Sequence, residues 1–170
     1  PVPPAARFIF ARRRADVSDD ALLEQLRRLQ VPDHLLVGLG AGLVSRLGAA
    51  VPGVRPFPDV SLDGARLPAT PADLVLRLAG ADPGEVLHLE RDLLARLGTV
   101  VEVTDTVDGF VYDGGRDLTG YVDGTENPTD EDAVRAGIAM HQGPGLDGGS
   151  VLAIQRWVHD FDAFSALDAT

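Results

Sequence analysis

The sequence contains no cysteine, no lysine and no long apolar run. Without cysteine the chain can form no disulfide and can supply no thiolate to a metal ion or an iron–sulfur cluster. All 15 basic residues are arginine, which excludes a lysine nucleophile or Schiff base. No stretch approaches the roughly 20 apolar residues of a membrane-spanning helix, and the opening Pro1-Val2-Pro3-Pro4 is unlike a secretory leader. We therefore expect a cytoplasmic protein without a membrane partner.

Acidic residues outnumber basic ones by 26 to 15, which gives a net charge of −11. This balance argues against binding to the phosphate backbone of nucleic acids or to anionic membranes. With 45% hydrophobic and 24% charged residues, the composition is typical of a globular protein, and 170 residues suffice for one domain and part of another. The sequence has no initiator methionine and ends just after a helix begins, so we expect a fragment of a longer protein.

The first 107 residues alternate between strand and helix patterns. The predicted strands cover residues 6–12, 35–40, 73–80 and 99–107. The predicted helices begin after Ser18, run over residues 42–47, and run from Pro83 to Gly98. Between them, residues 51–71 hold five prolines and predict an ordered loop. This order predicts an α+β fold of the ferredoxin-like kind, with an antiparallel sheet and helices packed on one face.

From Asp108 onward glycines and acidic residues alternate, which is typical of a long functional loop. Residues 129–139 predict a short acidic helix capped by Thr129. Residues 150–159 have the β-rich pattern of a strand, and a further helix is expected to begin at Asp160 or Asp162.

Within that loop, Asp123 lies in the segment Gly120-Tyr121-Val122-Asp123-Gly124-Thr125-Glu126-Asn127-Pro128. Glycines on either side let the backbone turn tightly and hold the carboxylate in a fixed direction. Without its flanking segments, Asp123 is also explained as a turn aspartate, whose side chain accepts hydrogen bonds from nearby backbone N–H groups. A calcium loop is disfavoured because Pro128 stands where that loop requires glycine. The spacing of Gly38, Gly40 and Gly42 differs from that of a dinucleotide-binding loop, so we interpret these glycines as turn residues.

The flanking segments Gly115-Arg116-Asp117-Leu118-Thr119 and Gln155-Arg156-Trp157-Val158-His159-Asp160 extend the pattern. Together with residues 120–128 they resemble the dye-decolourising peroxidases, in particular their bacterial B-type branch. The resemblance implies two ferredoxin-like halves. Residues 1–112 would form the first, and residues 113–170 would form a Gly-rich distal-haem loop and the opening strand of an incomplete second one.

The resemblance also implies a function. The parent protein would reduce hydrogen peroxide at haem b and oxidise an organic reductant such as a dye or a phenol. Asp123 would be the distal acid–base group, since a carboxylate there can move a proton between the two peroxide oxygens. Gly124, Thr125, Glu126 and Asn127 would line the haem edge.

A peroxidase haem needs a proximal histidine, and the chain has four: His34, His88, His141 and His159. We expect His34 and His88 at the surface. His159 is the most tempting ligand because Asp160 follows it, but the resemblance places the axial histidine and the distal arginine beyond Thr170. We therefore expect no metal ligand in this chain, and expect the isolated chain to be inactive.

The missing axial histidine also motivates an alternative of a different class, a non-catalytic α+β interaction module that binds no haem. The resemblance further implies self-association into homo-oligomers. It is also compatible with a protein that is packed as cargo inside a protein shell.

Overall fold

The computed structural model describes residues 2–167, and of Ala65 only the backbone. The chain divides into two compact units, Pro1–Phe110 and Val111–Thr170. The strands are β1 (Ala5–Arg13), β2 (Leu35–Leu39), β3 (Val60–Leu62), β4 (Ala65–Leu67), β5 (Leu74–Gly80) and β6 (Val101–Phe110). The helices are α1 (Asp19–Arg27), α2 (Ala41–Arg46), α3 (Pro83–Leu97), α4 (Asp130–Gly137) and α5 (Phe161–Ser165).

In the first unit, four strands form one antiparallel sheet in the order β2-β5-β1-β6. Helix α1 connects β1 to β2, and these two strands run parallel to each other with β5 between them. Helix α3 connects β5 to β6, and these two strands run parallel to each other with β1 between them. This split arrangement is the ferredoxin-like topology, so the predicted fold class and the four predicted strands are confirmed.

The core of the first unit lies between the sheet and its helices. Alternate residues of the two central strands are fully buried, because successive side chains of a strand point to opposite faces. Those from the sheet are Ile9, Ala11, Leu74, Leu76 and Leu78, and those that pack on them from the helices are Leu22, Leu43, Val86, Leu93 and Leu97. Each large apolar side chain buried in this way contributes about 1.5–3 kcal/mol. The core therefore holds the helices on one face of the sheet.

The helix starts follow the local sequence. Ser18 Oγ accepts the Ala21 N–H at 3.1 Å and caps α1, as predicted. At α3, Asp82 Oδ1 accepts the N–H groups of Gly84 and Glu85, and Pro83 occupies the first turn. Proline suits that position because its missing N–H would have no partner within the helix.

The proline-rich segment 51–71 is less irregular than predicted. It contains a small hairpin in which β3 pairs with β4. The hairpin turns at Asp63 and Gly64, which have φ angles of 48° and 84°. An Asp-Gly pair at positive φ is the typical turn of a two-residue hairpin, so the signal was present but was obscured by the prolines around it.

Asp73 joins three elements at one end of the sheet. Its Oδ2 accepts the Arg13 N–H at 2.9 Å, and its Oδ1 accepts from Arg46 Nη2 at 2.9 Å. Arg46 Nε also lies 3.3 Å from Asp19 Oδ2, at the start of α1. Burial raises the pKa of Asp73, but the Arg13 N–H and the Arg46 guanidinium outweigh that effect and hold the pKa below its ordinary value of 3.8.

This geometry predicts an acid-dependent stability. Because the pKa of Asp73 is lowered on folding, its stabilisation is present above pH 3.8 and is lost as the pH falls through the folded-state pKa. At neutral pH, Asp73→Asn should lower the free energy of unfolding by about 1 kcal/mol. Urea denaturation of both proteins should show this difference shrinking in acid. Asp16→Asn is the matched control, since Asp16 lies 3.5 Å from Arg14 in an exposed pair, and a difference independent of pH would contradict the assignment.

In the second unit, the predicted acidic helix is confirmed as α4, although Thr129 at its N-cap makes no side-chain hydrogen bond. The helix predicted to begin at Asp160 or Asp162 is confirmed as α5, which is capped by Asp160 Oδ1. The strand predicted over residues 150–159 is wrong, because this segment forms no secondary structure. A strand needs a neighbouring strand to bond to, and residues 150–159 form no β-ladder with any described residue. The assignment of residues 113–170 to an incomplete second ferredoxin-like domain stays a prediction, but the opening strand expected in it is absent from residues 150–159.

No helix in residues 2–167 is both long enough and apolar enough to cross a membrane.

Candidate functional site

The candidate site is the loop of residues 112–127, which we call the acid loop. Isolated antiparallel bridges join Arg116 to Tyr112 and to Val122. Arg116 Nη1 also donates to the Gly120 carbonyl oxygen at 2.7 Å, and its Nε lies 3.3 Å from Asp113 Oδ2. Arg116 therefore holds both sides of the loop just before Asp123.

Asp117 closes the turn inside the acid loop. Its Oδ1 accepts the Thr119 N–H at 2.8 Å, the Thr119 hydroxyl at 2.5 Å and the Tyr121 N–H at 3.3 Å. Its own N–H donates to the Tyr121 carbonyl at 3.0 Å. The pKa of Asp117 is lowered, chiefly because the Thr119 hydroxyl donates to its carboxylate. The turn also requires Gly120, whose φ is 95°, in the region that favours glycine.

Asp123 is exposed and is held by one oxygen. Its Oδ1 accepts the N–H of Gly124 at 2.8 Å, whereas Oδ2 has no hydrogen-bond partner among residues 2–167. This is the geometry of a turn aspartate, as the residues alone indicate. It leaves one carboxylate oxygen free to accept or release a proton.

The four candidate cofactor-binding residues form the next turn, which is closed by the Asn127 N–H to the Gly124 carbonyl at 3.0 Å. Gly124 has a φ of 74°, and a Cβ there would lie 2.6 Å from Asn127 Nδ2. Thr125 and Glu126 occupy the exposed middle of the turn. The structure therefore brings Asp123, Gly124, Thr125, Glu126 and Asn127 together on one exposed corner of the second unit.

The acid loop contacts the helix that follows the apolar segment 151–158. The Tyr121 ring meets the Phe164 ring edge-on, with centroids 6.2 Å apart. In the segment before that helix, Val151, Leu152, Trp157 and Val158 are exposed. The second unit thus combines a polar loop with an uncovered apolar segment.

None of the four histidines lies within the acid loop. His34, His88 and His141 are exposed, and the prediction for His34 and His88 is confirmed. The half-buried His159 stacks on Phe161, with centroids 5.3 Å apart and an interplanar angle of 10°. Within the described residues, no group of three or more His, Asp or Glu side chains is placed to hold a metal ion.

Sequence reasoning missed the roles of Arg116, Asp117 and Thr119, although it used these residues as part of the motif. A signal was available for two of them. An aspartate followed two residues later by threonine is a common turn pattern, in which the first side chain accepts from the second residue.

Comparisons with known proteins agree with this organisation. Residues 5–111 match the family model "Dyp-type peroxidase, N-terminal", and residues 114–170 match "Dyp-type peroxidase, C-terminal". A dye-decolorizing peroxidase of Mycobacterium tuberculosis is 33% identical over 183 aligned residues, covering 100% of this chain and 55% of that protein. One from Brevibacterium linens is 36% identical over 139 residues, covering 79% of this chain and 38% of that protein.

Solved structures show the same likeness. A heme complex of a Rhodococcus jostii RHA1 DypB variant superposes with a TM-score of 0.71 and 29% identity, covering 87% of this chain and 53% of that one. The encapsulated DyP-type peroxidase of Mycobacterium smegmatis superposes with a TM-score of 0.72 and 27% identity, covering 87% and 52%. The chain spans about half the length of these relatives. On the evidence of its fold, its motif and both family models, this chain belongs to the dye-decolourising peroxidase family.

Proposed function

We propose that this chain is part of a haem peroxidase that reduces hydrogen peroxide and oxidises an organic reductant such as a dye or a phenol. The observation that carries the proposal is Asp123, which is held through Oδ1 on a bridged loop while Oδ2 stays free. Membership of the dye-decolourising peroxidase family gives that carboxylate its chemical context. The same arrangement without the family assignment would describe only a turn.

The residues of the second unit fit one side of a haem pocket. A haem site needs apolar walls with a few polar groups that face the reacting ligand. The exposed apolar side chains of residues 151–158 supply the first feature, and the acid loop supplies the second. Bound there, haem b would supply the iron chemistry that cleaves the oxygen–oxygen bond.

The chain's own contribution is a proton carrier. Asp123 Oδ2 accepts the proton from one oxygen of hydrogen peroxide and returns it to the other, which becomes the leaving water. Because Oδ1 stays bonded to the Gly124 N–H, the carboxylate keeps its direction during the transfer.

The neighbouring turn has a separate role. Gly124 lacks a side chain where a Cβ would collide with Asn127, so the turn stays tight enough for its backbone to approach a flat ring closely. Thr125, Glu126 and Asn127 offer polar groups to ordered water or to the cofactor edge.

The axial histidine and the distal arginine are proposed to come from residues of the parent protein outside this chain. We also propose self-association and a cytoplasmic location for the parent protein. The encapsulated relative from Mycobacterium smegmatis supports the further idea that the parent protein is cargo of a protein shell.

For the isolated chain, the second candidate is a non-catalytic interaction module without haem. The exposed Trp157 and Val158 favour it, since uncovered apolar side chains mark surfaces that bind another protein or another part of the same protein.

Reconstitution with haem followed by dye bleaching tests the peroxidase. The full-length parent protein should bleach an anthraquinone dye only when hydrogen peroxide is added, and the isolated chain should not. A full-length protein that binds haem but bleaches no dye and consumes no peroxide would overturn the proposed function.

A further inference from the structure

One carboxylate oxygen organises the turn that precedes Asp123. Asp117 Oδ1 accepts from three donors, two on Thr119 and one on Tyr121. The Gly120 N–H adds a bond to the Asp117 carbonyl oxygen at 3.0 Å. Because Asp117 also donates its N–H to the Tyr121 carbonyl, the turn is closed from both directions.

The constraint extends to the residue before Asp123. Tyr121 is bonded to Asp117 through both its N–H and its carbonyl group. Val122 is bridged to Arg116, so the backbone is fixed up to the peptide bond that joins Val122 to Asp123. The direction of the Asp123 side chain therefore depends on bonds that Asp117 makes.

The acid loop needs such bonds because it is rich in glycine. Gly114, Gly115 and Gly120 all have positive φ, and glycines lose more conformational entropy on ordering than other residues. The half-buried Asp117 concentrates several bonds at one point and offsets part of that cost. Its lowered pKa means that it remains an ionised acceptor in mildly acidic solution.

We propose that Asp117 is a positioning residue, which fixes the turn of residues 117–121 so that the free Oδ2 of Asp123 keeps one orientation toward peroxide. The proposal rests on the proposed function of Asp123. Asp117 does not touch the reactants and acts through the backbone of Tyr121 and Val122.

The test compares two substitutions of Asp117 with a matched control. Asp117→Ala removes every side-chain acceptor, whereas Asp117→Asn keeps an Oδ1 that can accept from the same donors. Asp147→Ala is the control, because Asp147 also lies in the second unit and its Oδ1 also accepts a backbone N–H, that of Gln142 at 2.7 Å. Thr119→Val removes only the hydroxyl donor and should give an intermediate result.

Two measurements are needed. Hydrogen exchange in the haem-free full-length protein reports on the loop itself, and Asp117→Ala should speed exchange of the Tyr121 and Gly124 amides about tenfold. Stopped-flow kinetics of the haem-loaded protein should show the second-order rate constant for peroxide falling about tenfold or more, with the KM for the dye unchanged. Asp117→Asn should stay close to wild type in both, and Asp147→Ala should leave both unchanged.

A double substitution ties the effect to Asp123. In an Asp123→Ala background, Asp117→Ala should lower the rate constant no further, because the group it positions is gone. Faster exchange with an unchanged rate constant would overturn the inference, as would Asp117→Asn behaving like Asp117→Ala. If Asp123→Ala alone leaves peroxide kinetics unchanged, the proposed function fails and the inference fails with it. If Asp117→Ala does not change hydrogen exchange of the Tyr121 and Gly124 amides, only the inference is overturned.

Discussion

Replacing Asp123 with alanine in the full-length, haem-loaded protein is expected to lower the second-order rate constant for hydrogen peroxide by about 10²–10⁴-fold. The reason is the loss of the only side chain of the acid loop that we propose as proton carrier. Stopped-flow mixing with peroxide at fixed pH measures the rate constant directly. The effect should fall on the peroxide step, whereas haem binding should persist.

Asp123→Asn separates proton transfer from loop structure. Its amide oxygen can still accept the Gly124 N–H, so the turn should be retained, but a carboxamide cannot carry the proton. We therefore expect Asn to be as slow as Ala. Asp147→Ala, which removes an exposed carboxylate elsewhere in the unit, should be as fast as wild type. An Asn variant with wild-type kinetics would show that Asp123 only shapes the turn.

Gly40→Ala is expected to cause the largest loss of stability, about 2–4 kcal/mol. A Cβ built at Gly40 would lie 1.9 Å from the Ala72 carbonyl oxygen and 3.1 Å from its carbonyl carbon. Both atoms belong to the backbone, so they cannot rotate away as a side chain would. The Gly40 N–H also donates to the Asp73 carbonyl at 2.8 Å, and relief of the collision would break that bond.

Gly42→Ala is the matched control two residues away. Its Cβ would meet only Arg46 Nη1, at 3.8 Å, and the residue lies within α2. Alanine is favoured over glycine inside a helix by about 1 kcal/mol, so this variant should be as stable as wild type or more stable. Urea denaturation of the three proteins measures both effects. Equal stabilities of Gly40→Ala and Gly42→Ala would contradict the close approach of Ala72.

Much of the first unit could be predicted from sequence because its signals are local. The apolar alternation of β1 and β5 marks their buried faces, and Ser18 and Pro83 mark the starts of α1 and α3. The close approach of the Ala72 carbonyl group to Gly40 could not be predicted, since Ala72 lies 32 residues farther along the chain. The glycines at 38, 40 and 42 are evenly spaced in sequence, but they lie within β2, at the start of α2 and within α2, and only Gly40 would place a Cβ against backbone atoms at less than 3.4 Å.

The error at residues 150–159 has a physical cause. Their β-rich composition indicates a strand, but composition does not supply the partner that a strand must bond to. In the part of the chain that the structure describes, Val151 and Val158 remain exposed instead. Local pattern and tertiary pairing are separate requirements, and only the first can be read from this segment.

The motif identified Asp123 but could not give its surroundings. Glycines at 120 and 124 predicted a tight turn, and both have the positive φ angles that such turns need. The bonds that hold the turn come from Arg116 and Asp117. The spacing of Asp117 and Thr119 is a sequence signal for the second of these roles, whereas the role of Arg116 appears only when donors and acceptors are placed in space. Asp123 as proton carrier stays a prediction.

A haem titration followed through the Soret band can show whether this chain supplies one side of a haem pocket, as we propose. The full-length parent protein should take up haem stoichiometrically with a sharp Soret band. The 170-residue chain alone should give no comparable band if, as we propose, the axial histidine is supplied by residues outside it. A full-length protein that shows no Soret band at any haem concentration would contradict the claim.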